Sequence, residues 1–184
     1  MKKGWIILIV VVVLAVLYGF GAYNGLVIAK EGISNQWAQV ESVYQRRFDL
    51  IPNVVNSVKG AMKQETAVFT AIADARTHYA GATTVDDKAK AAGEVESSLA
   101  RLLVVMENYP QLKSIDTVQS LIVELEGSEN RVSVERQRFN DVVQTYNLKT
   151  KTFPTNIVAS MFGFEPAEYF EAVSGADQVP TVQL

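Results

Sequence analysis

The chain opens on an apolar block and continues in a different rhythm. From Gly4 to Ala22 no residue is charged, and "WIILIVVVVLAVLYGFGA" approaches the roughly 20 apolar residues a helix needs to cross a bilayer. After Asn24 the apolar positions fall at three- and four-residue steps: Leu26, Ile33, Trp37, Val40 and Tyr44, then Ile51, Val55, Val58, Met62, Phe69, Ile72 and Tyr79. This is the spacing of one face of a helix. The phase passes Pro52 unbroken, which predicts one long helix over residues 24–79, kinked where proline removes a donor and crowds the carbonyl of Phe48. The local chemistry equally permits Asp49 to cap a new helix with Pro52 in its first turn.

The small and polar "AGATTVDD" at 80–87 reads as a linker. A helix over 88–108 follows, with Val95, Leu99, Leu102, Met106 and Tyr109 on one face and Pro110 as its stop. A further helix over 114–147 carries Val118, Leu121, Leu125, Val132, Phe139, Val142 and Tyr146 at the same period. No stretch alternates as a strand does. Residues 148–184 form a C-terminal segment, with a short helix expected at 166–172 and a mobile tail. The expected fold is therefore all-α: an antiparallel helical bundle whose very long first helix continues from an N-terminal transmembrane helix at 1–23.

A cleaved signal peptide is the other reading of the first block, but its apolar run exceeds the 7 to 15 residues of a signal core. Trp5 at one end and Tyr18 and Tyr23 at the other suit the aromatic belts of a retained, single-pass anchor. Lys2 and Lys3 outweigh Lys30 on the far flank, so the positive-inside rule predicts a cytoplasmic N-terminus and an extracytoplasmic C-terminal domain on the bacterial cytoplasmic membrane. With Lys2 and Lys3 set aside, the 17 basic residues fall further behind the 20 acidic ones. That balance disfavours nucleic acid as a partner, and no stretch is basic enough for an electrostatic lipid patch. The chain has no cysteine and so no disulfide framework.

The stretches "YNGLV", "RRFDLIPNVVNSVKG", "ENYPQLKS", "ENRVSVERQRFNDVVQTYN", and the late "FGF" followed by "YFEA" occur in an order that resembles the LemA family of bacterial membrane-anchored helical proteins. The resemblance covers residues 23–172. It implies a helical bundle on an N-terminal membrane helix and no established enzymatic activity. Some members are linked to magnetosome formation, which implies a part in membrane organisation. Glu135 and Phe139 stand where family members often carry alanine and tyrosine.

Candidate chemistry is sparse. The single histidine, His78, follows Asp74 by one helical turn, yet residue 75 is alanine, so the Glu-x-x-His element of a di-iron bundle is missing. A solvated helix end is the simpler reading of the pair. No G-x-S-x-G elbow exists. A metal-dependent hydrolase is accordingly the weakest reading; no catalytic residue, metal ligand or cofactor is expected, and the chain reads as a non-enzyme.

Charges at core phase say more, because buried charges need partners. Arg47, Glu65 and Arg76 fall at such positions on the first helix, and Ser128 and Glu135 on the third. Counting levels along antiparallel helices pairs Glu65 with Arg101, and Arg76 with Glu94 or Glu129. At about 1.5 Å per residue the first helix would be about 80 Å long against about 30 and 50 Å for the other two. Residues 24–51 would then lack a neighbour from their own chain, although Leu26, Ile33, Trp37, Val40 and Tyr44 form an apolar stripe there. Either the C-terminal segment or neighbouring subunits must cover it. Anchors that rise together from one membrane favour subunits, with Arg46, Arg47 and Asp49 meeting charges across the boundary, or Glu165, Glu168 and Glu171. Ala15 with Gly19, and Gly21 with Gly25, add small-xxx-small contacts. The expected partners are a second copy of the chain and the lipid bilayer. A sensor that hands an envelope signal to another membrane protein is the alternative function.

Overall fold

The computed structural model describes residues 2–170. Its elements are α1 (Lys2–Lys59), α2 (Thr66–Gly81), α3 (Val85–Met106), α4 (Pro110–Lys113), α5 (Asp116–Lys151) and α6 (Thr155–Phe162). No strand occurs among the described residues. The apolar N-terminal block and the first part of the bundle are one unbroken helix, with Pro52 inside it.

The continuous helix expected over 24–79 is corrected at 60–65. Here α1 ends, the chain turns, and α2 begins at Thr66. Gly60 is a weak helix former, and the backbone N–H groups of Ala61 and Met62 both close onto the Val58 carbonyl at 3.0 Å. Met62 lies in this turn and is fully buried. It holds the apolar phase of the sequence across a place where the helix itself stops. Pro52 neither starts a helix nor ends one.

The remaining boundaries follow local chemistry. Thr84 caps α3: its Oγ1 accepts from the Asp87 N–H at 3.0 Å and donates to Asp87 Oδ2 at 2.7 Å. The helix therefore starts inside the expected linker. Pro110 occupies the first turn of α4, where a missing N–H costs nothing. The short helix expected at 166–172 is absent from 166–170; the sequence reading missed α6, which lies upstream of it. Residues 171–172 and the tail expected to be mobile lie outside the described residues. Gly163 ends α6 in the left-handed region at φ 71°, and the Phe164 N–H reaches back to the Ala159 carbonyl at 2.9 Å. Only glycine takes that backbone conformation without strain, which accounts for the central residue of "FGF".

Two compact units result. One comprises residues 41–136 together with Phe170. In it the end of α1, α2, α3 and the first part of α5 run up, down, up and down, as in a four-helix bundle. Its core holds Tyr44, Phe48, Ile51, Val54 and Val58 of α1 with Val68, Ile72, Val95, Leu99, Leu102, Leu125 and Val132. The other unit comprises residues 2–40 and 137–169. There the end of α5 runs antiparallel to α1, and α6 lies against both. Leu26, Tyr146, Val158 and Ala159 form its core cluster, with Ala22, Ala29, Ile33, Phe164 and Ala167 packed around them.

Candidate functional site

Inside the bundle unit, α1, α3 and α5 bring five polar side chains together. Tyr44 and Arg47 lie one turn apart on α1, so they share a face. Glu96 comes from α3, and Glu129 and Arg136 from α5, two turns apart. Arg136 donates from Nε to the Tyr44 hydroxyl at 2.7 Å and from Nη2 to both that hydroxyl and Glu96. The Tyr44 hydroxyl donates in turn to Glu96 at 3.3 Å. Arg47 is buried and pairs with Glu129, with Glu96 at 3.7 Å. Its Nε has no hydrogen-bond partner. The adjoining cavity of about 150 Å³ is lined by Arg47, Glu96, Leu99, Leu125 and Glu129 among others. It has room for water and is smaller than the pockets that hold drug-sized ligands.

Aromatic rings close the cluster. The Arg136 guanidinium lies 5.4 Å from the Tyr44 ring centre and 4.8 Å from that of Phe170. Phe170 and Tyr44 stack at 6.5 Å, and Tyr79 stands 5.4 Å from Tyr44. Burial drives the ionisation of both tyrosines far above the ordinary phenol range, Glu96 adding to it at Tyr44 and Glu41 at Tyr79. Burial also raises the Glu96 carboxyl, against the pull of Arg136 and Arg47 and with help from Glu129. Two guanidinium groups face two carboxylates, so the charges are spent on one another.

The sequence-expected pairs are mostly rearranged. Glu65 accepts from the Tyr109 hydroxyl at 3.2 Å and not from Arg101. Glu94 pairs with His78 at 2.8 Å. Glu129 goes to Arg47, and among the described residues no carboxylate comes within ion-pair distance of Arg76 or Arg101. The cause is the turn at 60–65: it folds α2 back beside α1, which changes every level counted beyond it. Arg47 does take its place in the core. Glu96 and Arg136 were missed because, read singly, each looks like one more charge on a helix exterior. Among the described residues, no three His, Asp or Glu side chains gather as metal ligands do.

The apolar stripe expected to meet neighbouring subunits is covered by the chain itself. Leu26 packs under Tyr146, Val158 and Ala159, with Ile33 beside the same cluster. The Trp37 ring meets Phe139 edge-on at 5.3 Å, and Val40 and Tyr44 are buried. Arg46 pairs with Glu124 at 3.7 Å, and Asp49 accepts from Gln45 within the helix. Much of this cover comes from the helix expected at 114–147, here α5, whose Phe139 and Tyr146 lie beside a stretch that the comparison of helix lengths left without a neighbour; Val158 and Ala159 of the C-terminal segment add to it at Leu26. The fixing contacts are specific. Asn147 donates to the Ala167 carbonyl at 2.9 Å and accepts from the Ala167 N–H at 2.7 Å. The Tyr146 hydroxyl donates to the Glu165 carbonyl at 2.9 Å.

The chain is similar to known proteins. The model described as the LemA family matches residues 36–184. The magnetosome proteins MamQ 1 and MamQ 2 of Paramagnetospirillum magneticum are each 28% identical to the chain, over 88% of its length and 70% of theirs. The magnetosome protein MamQ of Magnetospirillum gryphiswaldense is 25% identical over the same shares.

Proposed function

The chain belongs to the LemA family, and on that premise we propose that it is a membrane-anchored, non-enzymatic scaffold or interaction protein that self-associates at the bacterial cytoplasmic membrane. The observation that carries the proposal is the contrast between a bundle whose inner charges are paired with one another and an N-terminal helix whose apolar side chains are exposed along the whole block. Such a surface demands lipid or other helices as its surroundings. The magnetosome proteins among its relatives support a role in organising a membrane.

With the stripe on residues 26–44 covered, the surface for self-association is the membrane block itself. A Cβ added at Gly19 or Gly21 meets nothing within 4 Å, so a second helix has room for the close approach that small residues allow. Gly19→Leu combined with Gly21→Leu should reduce the mass of the detergent-solubilised full-length protein, measured by light scattering, with helical content unchanged. An assembly of undiminished size would refute this route. Lys2 and Lys3 favour an extracytoplasmic bundle; a C-terminal alkaline phosphatase fusion is then active in cells, and an inactive, stably made fusion reverses the orientation.

A further inference from the structure

The segment from Phe153 to Phe164 contains no charged residue, and α6 within it is apolar on both sides. Val158 and Ala159 face the core. On the outside, Phe153 is 79%, Ile157 52%, Met161 75% and Phe162 59% exposed. Thr155, Asn156 and Ser160 are the only polar residues of α6, so large apolar side chains stand outside its buried face as well as within it, a surface that water does not favour.

Its position within its own unit says what covers the other side. Thr155 and Tyr18 share a hydrogen bond of 3.0 Å between their hydroxyls. Phe162 and Phe164 meet the Tyr23 ring edge-on at 4.9 and 5.7 Å, and Lys149 reaches the Gly25 carbonyl at 3.4 Å. The segment thus lies against residues 18–26 of α1. At about 1.5 Å per residue, Tyr18 to Tyr23 stand about 22 to 30 Å along the helix from Lys3. A bilayer's hydrocarbon layer is about 30 Å thick, so these residues fall at its far boundary when the lysines mark the near one. Leu14, Leu17 and Phe20, on the stretch of α1 that approaches this level, are exposed as well.

We propose that α6 and Phe153 lie in the boundary layer of the same bilayer that α1 crosses, with Phe153, Ile157 and Met161 entering the lipid. The proposal rests on the reading of α1 as a membrane span. Flanking groups suit such a depth: Lys30 stands 5.9 Å from the Phe164 ring centre, and Lys149 and Lys151 precede α6, within reach of lipid phosphates. Glu165 and Glu168 follow it, so apolar burial and not net charge holds the element in place. The protein therefore grips the membrane twice, once by a span and once by a helix lying at its surface.

The natural chain has no cysteine, so a single nitroxide can be placed at will by Ile157→Cys or Met161→Cys, with Val10→Cys inside the span and Val104→Cys on the bundle as references. The full-length protein is reconstituted in phosphatidylcholine–phosphatidylglycerol vesicles. Collisions with oxygen, which enters lipid, are compared with those of a water-soluble nickel chelate. At Ile157 and Met161 the oxygen-to-nickel ratio should lie between that at Val104 and that at Val10. Ratios equal to Val104, with Val10 in lipid, would overturn the inference and leave the span standing. Shielding from both reagents with spin–spin broadening would put a second copy there instead and also overturn it. A water-exposed Val10 would remove the span, and the inference with it.

Discussion

The bundle unit and the smaller unit solve opposite problems. In the bundle, α1, α3 and α5 turn charged groups inward, and Arg47, Glu96, Glu129 and Arg136 neutralise one another beneath Tyr44 and Phe170. In the unit formed by residues 2–40 and 137–169, the polar groups that matter are few and fix a chain segment, while large apolar groups face outward. Buried ion pairs add little net stability over apolar packing, but they are unforgiving when one member is lost. Apolar packing depends on shape and is insensitive to salt or pH. The two units should therefore fail in different ways.

The largest effect is expected in the smaller unit. Phe139 is buried against Trp37, and Phe139→Ala should cost about 4 kcal/mol through the cavity it leaves. Hydrogen exchange on the detergent-solubilised protein would show faster exchange in residues 24–40 and 137–151, with no dependence on salt. An effect confined to α2 and α3 would contradict the division into units.

In the bundle, Arg136→Ala leaves Glu96 buried without its closest partner and removes the cation over Phe170. A loss of about 3 kcal/mol is expected, as for other broken buried pairs, seen as faster exchange in α3. A loss below about 1 kcal/mol would place the pair with exposed ones.

Asn147→Ala tests the fastening of the C-terminal segment. Both polar atoms of Ala167 lose a partner, which should cost about 2 kcal/mol. Protection should fall in residues 163–169 while the bundle is unaffected. Equal loosening of both units would show that the clasp serves the whole chain.

The smallest effect is a dependence on pH. Burial raises the Glu96 carboxyl above its ordinary value, so the folded chain holds this proton to a higher pH than the unfolded chain does. That contribution to stability is complete below the ordinary glutamate pKa of about 4.3 and is lost as pH rises through the raised value. Glu96→Gln abolishes the loss. Thermal unfolding at a series of pH values should therefore show the wild type losing ground to the variant as pH climbs from about 4. A constant difference between them would mean that Glu96 titrates normally.

Local signals determined α3, α5 and the apolar block. Three- and four-residue spacing, Pro110 as a boundary, and the uncharged run from Gly4 to Ala22 depend only on near neighbours, and α3 and α5 fall close to where that spacing puts them. Arg47 was legible as a core charge because its phase on the helix is also local. Its partners were not. They depend on which helices stand beside it, and that is decided by the turn at 60–65, which buried Met62 hides from any periodicity. The roles of "YNGLV" and "FGF" were equally out of reach, since Tyr23 meets Phe162 and Phe164 across more than a hundred residues of chain. Tertiary packing alone put the C-terminal segment over Leu26, because covering an apolar stripe with the same chain satisfies the physics as well as a second subunit does, and the sequence records only the need for a cover.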